Sequence, residues 1–219
     1  MIRHQRNRGL AAARNSAFRS ARCDLVASLD ADCIVEPSWL ANVAGAGGSL
    51  REGIQDSWAH RWRAAHMPQE WGPRSIRNPK FLFGCNNIYR KSAVLEAGGY
   101  DESMRTNGED CDLSRRLRGK NWQLIYNPAA QAVHRRSDTV SSIFDNYWRW
   151  WKSGVNAYAG GISFRSVIGH ALFVHLRYTF REAVARDLRA HRAALLPLDL
   201  ALLFYLPYRD LQLWLKSRL

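Results

Sequence analysis

The chain has 219 residues, room for one domain or for one domain with a helical appendage. Apolar residues make up 47% of it, which is enough for a hydrophobic core and excludes a low-complexity chain. Its 32 lysines and arginines outweigh 19 acidic residues and give a formal net charge of +13. That surplus favours an anionic partner, whether nucleic acid, a phosphorylated substrate or an acidic membrane surface.

The cysteines and the apolar runs indicate which cellular compartment to expect and whether a membrane-spanning segment is present. Four cysteines, at positions 23, 33, 85 and 111, form no CxxC pair, which argues against a zinc ribbon and fits a reducing compartment. The N-terminus lacks the apolar stretch of a signal peptide. The longest apolar run, around residues 195–206, contains Pro197 and Asp199 and is shorter than the ~20 residues of a spanning helix. We therefore expect a cytoplasmic protein without a transmembrane segment.

The first part of the chain predicts alternating helices and strands. Apolar spacing predicts a helix over residues 9–21, and a buried strand is expected to follow and to end at Asp30. Proline near a first helical turn favours a new helix from residues 37–40. Residues 45–50, GAGGSL, indicate a turn or a flexible connection, and residues 51–80 are interpreted as a long loop on the substrate side.

The later elements are predicted in the same way. Residues 81–91 predict a strand, and residues 92–97 a short helix closed by two glycines. A helix is expected over residues 107–118, and residues 122–134 predict a strand, a turn and a strand. The pattern becomes helical, aromatic and basic from about residue 141. We therefore expect an α/β domain over residues 1–138 and a helical tail over residues 139–219.

Two carboxylates, Asp30 and Asp32, stand one residue apart where the first predicted strand ends. Open α/β sheets bind ligands at the carboxyl ends of their strands. A pair of acids there can hold a hard divalent cation and, through it, a diphosphate. The alternative is a solvated strand end, since the tripeptide is common.

A second acidic group opens the helix predicted over residues 107–118. Asp110, Leu113 and Leu117 share one helical face, so the carboxylate of Asp110 lies on the apolar stripe, where an unused charge is costly. Asp112 faces Arg116 four residues on and is explained as an exposed ion pair. For Glu109 and Asp110, the alternative is charge that complements the helix dipole.

Two further residues are candidates only in combination with these acids. His134 ends the predicted strand pair and would complete a metal site if the acids form one. Arg14, beside Asn15 on the first helix, can extend its stem along the apolar stripe or reach a phosphate with its paired donors.

Four stretches, in this order, resemble family 2 glycosyltransferases with the GT-A fold. They are NRGLAAARNSAF (7–18), LDADCIVEPSWL (29–40), FLFGCNNIYRKSAVLEAGGYDESM (81–104) and NGEDCDLSRRLRGKNWQLIYNPAAQAVH (107–134). The resemblance implies a GT-A-like (Rossmann-like) mixed sheet flanked by helices, followed here by the helical tail. It also implies an N-terminal truncation, because family members begin with two further nucleotide-binding βα units, on the order of 60 residues.

The resemblance also implies roles for single residues. Asp30 and Asp32 match the family's DxD motif, with Asp32 the direct ligand of Mg²⁺ or Mn²⁺, and His134 matches a position that touches metal or diphosphate. Asp110 matches the general base of inverting members, and Glu109 stands beside it. The remaining matches place Arg14, Asn15 and Asp30 at the donor nucleotide and Gly84, Asn86 and Asn87 at the sugar and acceptor.

The function implied by the resemblance is metal-assisted, inverting transfer of a sugar from a UDP-, GDP- or dTDP-sugar to a hydroxyl acceptor. That acceptor is a glycan or a lipid-linked molecule, as in the synthesis of cell-envelope polysaccharide. The base removes the proton of the hydroxyl that attacks the anomeric carbon, while a cation neutralises the leaving diphosphate. The alternatives are an inactive remnant that only binds partners and a basic module for an anionic partner. Nucleic acid is not expected, because no nucleic-acid-binding signature is present.

The tail carries two amphipathic patterns. Ile143, Tyr147 and Trp150 share one face of the first predicted tail helix, amid tryptophan and basic residues. Further on, one apolar stripe with arginines on the other side is formed by Leu172, Phe173, Leu176, Phe180 and Val184. Such a tail either packs its apolar face on the catalytic domain or binds an anionic membrane peripherally, at the inner face of the cytoplasmic membrane.

Overall fold

The computed structural model describes residues 2–39, 46–104, 107–154 and 162–218. They fall into two compact units. The first holds Met1–Ile54 and Pro68–Arg136, and the second holds Gln55–Met67 and Ser137–Leu219.

The first unit is built on a mixed six-stranded sheet with the order β1-β5-β3-β6-β2, in which β4 also pairs with β6. The parallel pair is β3 with β6, and the other pairings described are antiparallel. The strands are β1 (Leu25–Leu29), β2 (Cys33–Val35), β3 (Gly47–Glu52), β4 (Ile76–Arg77), β5 (Asn86–Arg90) and β6 (Ile125–His134).

The helices follow the chain through both units. They are α1 (Leu10–Ser20), α2 (Trp58–His66), α3 (Lys91–Glu96), α4 (Glu109–Gly119), α5 (Val140–Gly154), α6 (Phe164–Gly169), α7 (Leu176–Tyr178), α8 (Ala185–Arg189) and α9 (Leu196–Lys216). The π-helical turns His170–His175 and Thr179–Val184 join α6, α7 and α8, and a 3₁₀ turn precedes α9. None of the helices formed by the described residues combines the length and the hydropathy of a membrane-spanning segment.

Local patterns predicted several of these elements correctly. Helices α1, α3 and α4 lie where apolar spacing placed them, and Gly98 and Gly99 close α3 with φ angles of 86° and 75°. The helical tail is confirmed. Buried side chains of α1 and α4, such as Phe18, Leu113 and Leu117, pack into one core beside the sheet. The helix expected from residues 37–40 lies partly outside the described residues.

Four predictions about turns and strands differ from the structure. Residues 47–50 of the GAGGSL stretch are not a turn, because they belong to β3, where a Cβ on Gly48 would lie 1.8 Å from the carbonyl oxygen of Ala130. Strand β1 is not buried, because it pairs only with β5 among the described strands and leaves Leu25 and Leu29 each 40% exposed.

Residues 122–134 contain a single long strand, β6, in place of a strand, a turn and a strand. The pairing of β3 with β6 jumps from Tyr126 opposite Gly47 to Gln131 opposite Ser49. Pro128 lies inside this irregularity, where the backbone donor that proline lacks is not needed by the ladder. The strand predicted over residues 81–91 is likewise shorter, since β5 begins at Asn86.

Residues 51–80 do not form one long loop, because they contain α2 and β4. The Ser57 hydroxyl caps α2 by accepting a hydrogen bond of 3.2 Å from the backbone N–H of His60. One face of α2 enters the core of the second unit, where Trp62 is fully buried with Ile143, Tyr147 and Leu202. This tertiary burial, and not a strong local pattern, explains the helix.

Candidate active site

Arg14 of α1 contacts acidic residues from both motifs of the site. Its Nη1 donates a hydrogen bond of 2.8 Å to Glu109 Oε1, and its Nη2 donates one of 2.9 Å to the carbonyl oxygen of Gly84. Nη2 also lies 3.5 Å from Asp30 Oδ1. The guanidinium carbon is 5.4 Å from the centre of the Tyr100 ring. Arg14 thus connects the first acidic motif with the second, although Asp30 and Glu109 are 79 positions apart in sequence.

The backbone of Gly84 also connects several residues of the site. Its carbonyl oxygen accepts from Arg14 and, at 2.9 Å, from the Ser28 hydroxyl, while its N–H donates to Asp110 Oδ2 at 3.0 Å. A Cβ at this position would lie 2.6 Å from Arg14 Nη1. Only glycine therefore lets the guanidinium approach this backbone so closely.

The DxD pair follows β1 and leads into β2. Asp30 and Asp32 have side chains that are 41% and 37% exposed, so solvent and a ligand can reach both. Asp32 Oδ2 lies 3.3 Å from His134 Nε2. The antiparallel register of β2 with β6 brings His134 here, because it sets Cys33 opposite His134.

Glu52 holds the other nitrogen of His134. Its two carboxylate oxygens lie 3.0 and 2.9 Å from Nδ1, and both side chains are buried. Parallel pairing of β3 with β6 sets Glu52 opposite His134. A carboxylate on one imidazole nitrogen fixes the ring and directs the other nitrogen, an arrangement that is common behind metal-binding histidines. Sequence reasoning missed Glu52, because nothing local in residues 51–54 signals this pairing.

Glu109 and Asp110 begin α4, and they differ in surroundings. Glu109 is buried, and its Oε2 has no hydrogen-bond partner among the described residues. Asp110 is half-buried, and its carboxylate accepts from the N–H groups of Gly84 and Cys111. Asp112, in the same helix, forms the expected ion pair with Arg116 at 2.7 Å. The pair is less exposed than expected, because the Asp112 side chain is only 11% exposed.

The charged groups of the site shift one another's pKa values. Burial raises the pKa of Asp30, with the Asp32 carboxylate adding to the rise and Arg14 opposing it. Burial also raises the pKa of Glu109, and the Asp110 carboxylate adds to that rise. Burial disfavours the charge on Arg14, but the surrounding anionic groups outweigh it and raise the pKa of the guanidinium. The arginine therefore stays charged throughout the physiological range.

Three other predicted site residues have buried side chains that form hydrogen bonds with neighbouring residues of the protein. Asn15 accepts from the Tyr100 N–H at 2.7 Å and donates to the Tyr100 carbonyl at 2.8 Å. Asn86 donates to the carbonyls of Ser49 and Ala130 and accepts from Trp39 Nε1. Asn87 donates to the Phe83 carbonyl, and its Oδ1 has no partner among the described residues. The roles of all three at the donor or acceptor stay predictions.

Two cysteines, Cys33 and Cys85, directly follow the site residues Asp32 and Gly84 in the chain. Cys85 donates a thiol hydrogen bond to Cys33, which lowers the pKa of Cys33. The same hydrogen bond, together with burial, raises the pKa of Cys85 well above its ordinary value. The backbone N–H of Cys33 donates to the Asp30 carbonyl, which closes the DxD turn. These contacts depend on the sheet and have no signature in the sequence.

The residues around Asp32 fit a divalent cation. Asp32 Oδ2 and His134 Nε2 offer an oxygen and a nitrogen 3.3 Å apart, and Asp30 adds a reachable carboxylate. Oxygen ligands suit Mg²⁺ and Mn²⁺, and imidazole suits Mn²⁺ better. A cation bound here would neutralise a leaving diphosphate.

Known glycosyltransferases are similar to this chain in sequence. Residues 1–97 match the model of the family described as Glycosyl transferase family 2. A pre-mycofactocin glycosyltransferase of Mycobacterium tuberculosis (strain ATCC 25618 / H37Rv) is 31% identical over 61% of this chain and 32% of its own length. The N-acetylglucosaminyl-diphospho-decaprenol L-rhamnosyltransferase of the same strain is 25% identical over 63% of this chain and 50% of its own length. The chain thus spans a third to a half of these relatives.

A solved structure shows the same fold. A mannosyltransferase from Pyrobaculum calidifontis, in complex with GDP-Man and Mn²⁺, has a TM-score of 0.50 and 18% identity. The similarity covers 97% of this chain and 65% of that one. It confirms the expected GT-A-like mixed sheet flanked by helices.

Proposed function

We propose that this chain, whose residues 1–97 match the model of glycosyl transferase family 2, transfers a sugar from a nucleoside-diphosphate donor to a hydroxyl acceptor. The transfer inverts the anomeric carbon and uses Mn²⁺ or Mg²⁺. One observation carries the proposal: Asp30 of the DxD motif and the acids that begin α4 meet at Arg14 and Gly84. A cation site and a base are thereby held by the same two residues.

The cation side of the site is assigned to Asp30, Asp32 and His134. Glu52 orients His134, so that Nε2 points toward Asp32. Arg14 lies beside Asp30 and stays charged, which adds positive potential where the donor's diphosphate would bind. The Pyrobaculum mannosyltransferase was solved with GDP-Man and Mn²⁺, which supports a donor and a cation of these classes.

The acceptor side is assigned to Asp110 as general base. Its carboxylate is half-buried and accepts backbone hydrogen bonds from Gly84 and Cys111, which fix its direction. Such a group takes the acceptor's proton as the hydroxyl attacks, and a positioned base contributes about 10²–10⁴-fold to a rate. Glu109 is turned away toward Arg14, so it supports the arginine and is not the base.

The acceptor is a glycan or a lipid-linked molecule. The name of the relative that acts on N-acetylglucosaminyl-diphospho-decaprenol supports a lipid-linked one. A lipid-linked acceptor requires the protein to work at a membrane, and we place it at the inner face of the cytoplasmic membrane. The high positive charge of the chain suits an anionic lipid surface.

Isothermal titration of the protein with UDP-, GDP- and dTDP-sugars, with and without Mn²⁺, tests the proposal. We expect binding of one donor class that depends on the metal. Asp32→Asn should weaken it at least tenfold, whereas Asp24→Asn, an exposed carboxylate paired with Arg90, should leave it unchanged. Binding that ignores both the metal and Asp32 would refute the cation site. No binding of any donor would favour a remnant or a basic binding module.

A further inference from the structure

The outward face of α9 is apolar along its length. Its exposed side chains recur every three or four residues and therefore form one stripe: Leu200 (44% exposed), Phe204 (79%), Tyr208 (53%), Leu211 (36%) and Leu215 (50%). No charged side chain occupies an exposed position of α9 between Leu200 and Leu215. The outer face of a helix in water normally carries charged residues, so this face is unusual.

A second exposed stripe follows the helices that pack against α9. Its members are Phe164 (51% exposed), Ile168 (45%), Leu172 (55%), Phe173 (74%), Leu176 (43%) and Phe180 (47%). All of them except Phe173, which follows Leu172 directly, recur at four-residue steps. The wider π-helical turns keep such a step on one side of the helix, where a pure α-helix would drift. Most of the apolar stripe predicted from the sequence is therefore exposed in the structure.

The two stripes belong to one helical hairpin. The rings of Phe164 and Trp214 lie 5.3 Å apart, and His175 Nε2 lies 2.7 Å from Asp210 Oδ2. The beginning of α6 thus meets the end of α9, which makes the two segments antiparallel. At about 1.5 Å per residue, α9 alone extends for roughly 30 Å.

Exposed cations accompany the second stripe along the chain. An open surface pocket just beyond Phe180 is lined by Arg181, Arg186 and Arg189, together with Glu182 and Ala190. Arg165 and Arg177 are exposed within the second stripe itself. Exposed large apolar side chains and exposed arginines in the same segments match the acyl boundary and the phosphate layer of a bilayer.

We propose that this hairpin surface docks on an anionic phospholipid bilayer. Phe173 and Phe204, the most exposed of its aromatic side chains, enter the acyl boundary, and the arginine pocket binds headgroup phosphate. Charge decides between a bilayer and a second copy of the chain: a formal charge of +13 and a basic pocket repel a copy and attract anionic lipid. The inference rests on the proposed function in one respect, since the surface would bring the site to a lipid-linked acceptor.

Co-sedimentation of the full protein with vesicles tests this docking. One set contains phosphatidylglycerol and phosphatidylcholine, and the other contains phosphatidylcholine alone. We expect binding to the anionic set that weakens with salt. Arg181→Gln, Arg186→Gln and Arg189→Gln together should lower it about 100-fold, at roughly fivefold for each cation near the surface. The control Arg3→Gln, Arg6→Gln and Arg74→Gln makes the same charge change at exposed positions elsewhere and should lower it far less.

The apolar stripes have their own variant. Phe173→Ser with Phe204→Ser should abolish binding, whereas Trp58→Ser, which removes another exposed aromatic ring of the second unit, should not. All three residues are exposed, so circular dichroism should show the same fold and the same melting temperature for both variants. A phenylalanine variant that still binds anionic vesicles fully would overturn the docking mode.

Two other outcomes separate the explanations. If the protein ignores vesicles but sediments as a dimer that the phenylalanine variant dissolves, the surface is an interface between copies and the proposal is wrong. Donor titration is measured on the same samples, and it should be unaffected by the surface variants. Vesicle binding without donor binding would refute the enzyme function alone, and donor binding without vesicle binding would refute the docking alone.

Discussion

Arg14 and Glu109 form a buried ion pair across the first unit, with Arg14 Nη1 2.8 Å from Glu109 Oε1 and side chains that are 8% and 5% exposed. The pair joins α1 to the start of α4. The second carboxylate oxygen of Glu109 has no partner among the described residues, so the charge depends on Arg14.

Replacing Arg14 with Gln should therefore destabilise the protein strongly. The change leaves the buried carboxylate of Glu109 without a cation, which costs about 3–5 kcal/mol in comparable buried pairs. Arg90→Gln breaks an exposed pair with Asp24 and should cost less than about 1 kcal/mol. Urea unfolding of both variants measures the difference. Equal losses would mean that the buried pair adds no more than a surface contact.

Gly84→Ala should damage the site without a large change in the rest of the fold. The new Cβ would lie 2.6 Å from Arg14 Nη1 and displace the guanidinium that links Asp30 with Glu109. We expect a fall in kcat/KM of at least tenfold. Gly119→Ala is the matched control, because a Cβ there meets no atom within 4 Å. Wild-type kinetics in Gly84→Ala would show that the arginine position does not matter to transfer.

Asp110→Asn should abolish transfer while the donor still binds. Asparagine keeps the shape but cannot accept the proton of the attacking hydroxyl, so kcat should fall by about 10²–10⁴-fold. Asp112→Asn in the same helix removes only the ion pair with Arg116 and Arg115 and should retain most activity. Kinetics and donor titration on both variants are compared. Loss of donor affinity as large as the loss of rate would contradict the assignment of a base.

Asp199 should make the stability of the second unit depend on pH. Its Oδ1 accepts from Trp62 Nε1 at 2.8 Å and lies 3.5 Å from His66 Nε2, while Asp187 and Arg192 complete the buried cluster. Burial raises the pKa of Asp199, with the Asp187 carboxylate adding to the rise and Trp62 and His66 opposing it. The folded protein therefore holds this proton to a higher pH than the unfolded chain does.

The free energy of unfolding contributed by Asp199 should fall as the pH rises from the unfolded pKa of ~3.9 through the raised folded pKa. Asp199→Asn has no proton to lose, so its melting temperature should decline less over the same window. Differential scanning calorimetry at several pH values between ~4 and ~7 compares the two proteins. Parallel curves would show that Asp199 titrates alike in the folded and unfolded states.

The local pattern of the sequence determined the elements whose structure depends on near neighbours. Apolar spacing is a property of a few helical turns, so α1 and α4 were predictable, and glycines marked the end of α3. The four motifs also predicted the GT-A-like fold and the family whose model residues 1–97 match, since the order of the motifs is a property of the chain itself.

Tertiary structure alone decided which distant residues meet. Glu52 reaches His134 because β3 pairs with β6, and Arg14 reaches Glu109 because α1 and α4 pack beside one sheet. The same holds for α2, whose helix is stabilised by burying Trp62 among the tail helices, and for β3, whose glycine admits the backbone of β6. Pairing between segments far apart in sequence leaves no periodic trace in either one, because each contact depends on surfaces that exist only after folding.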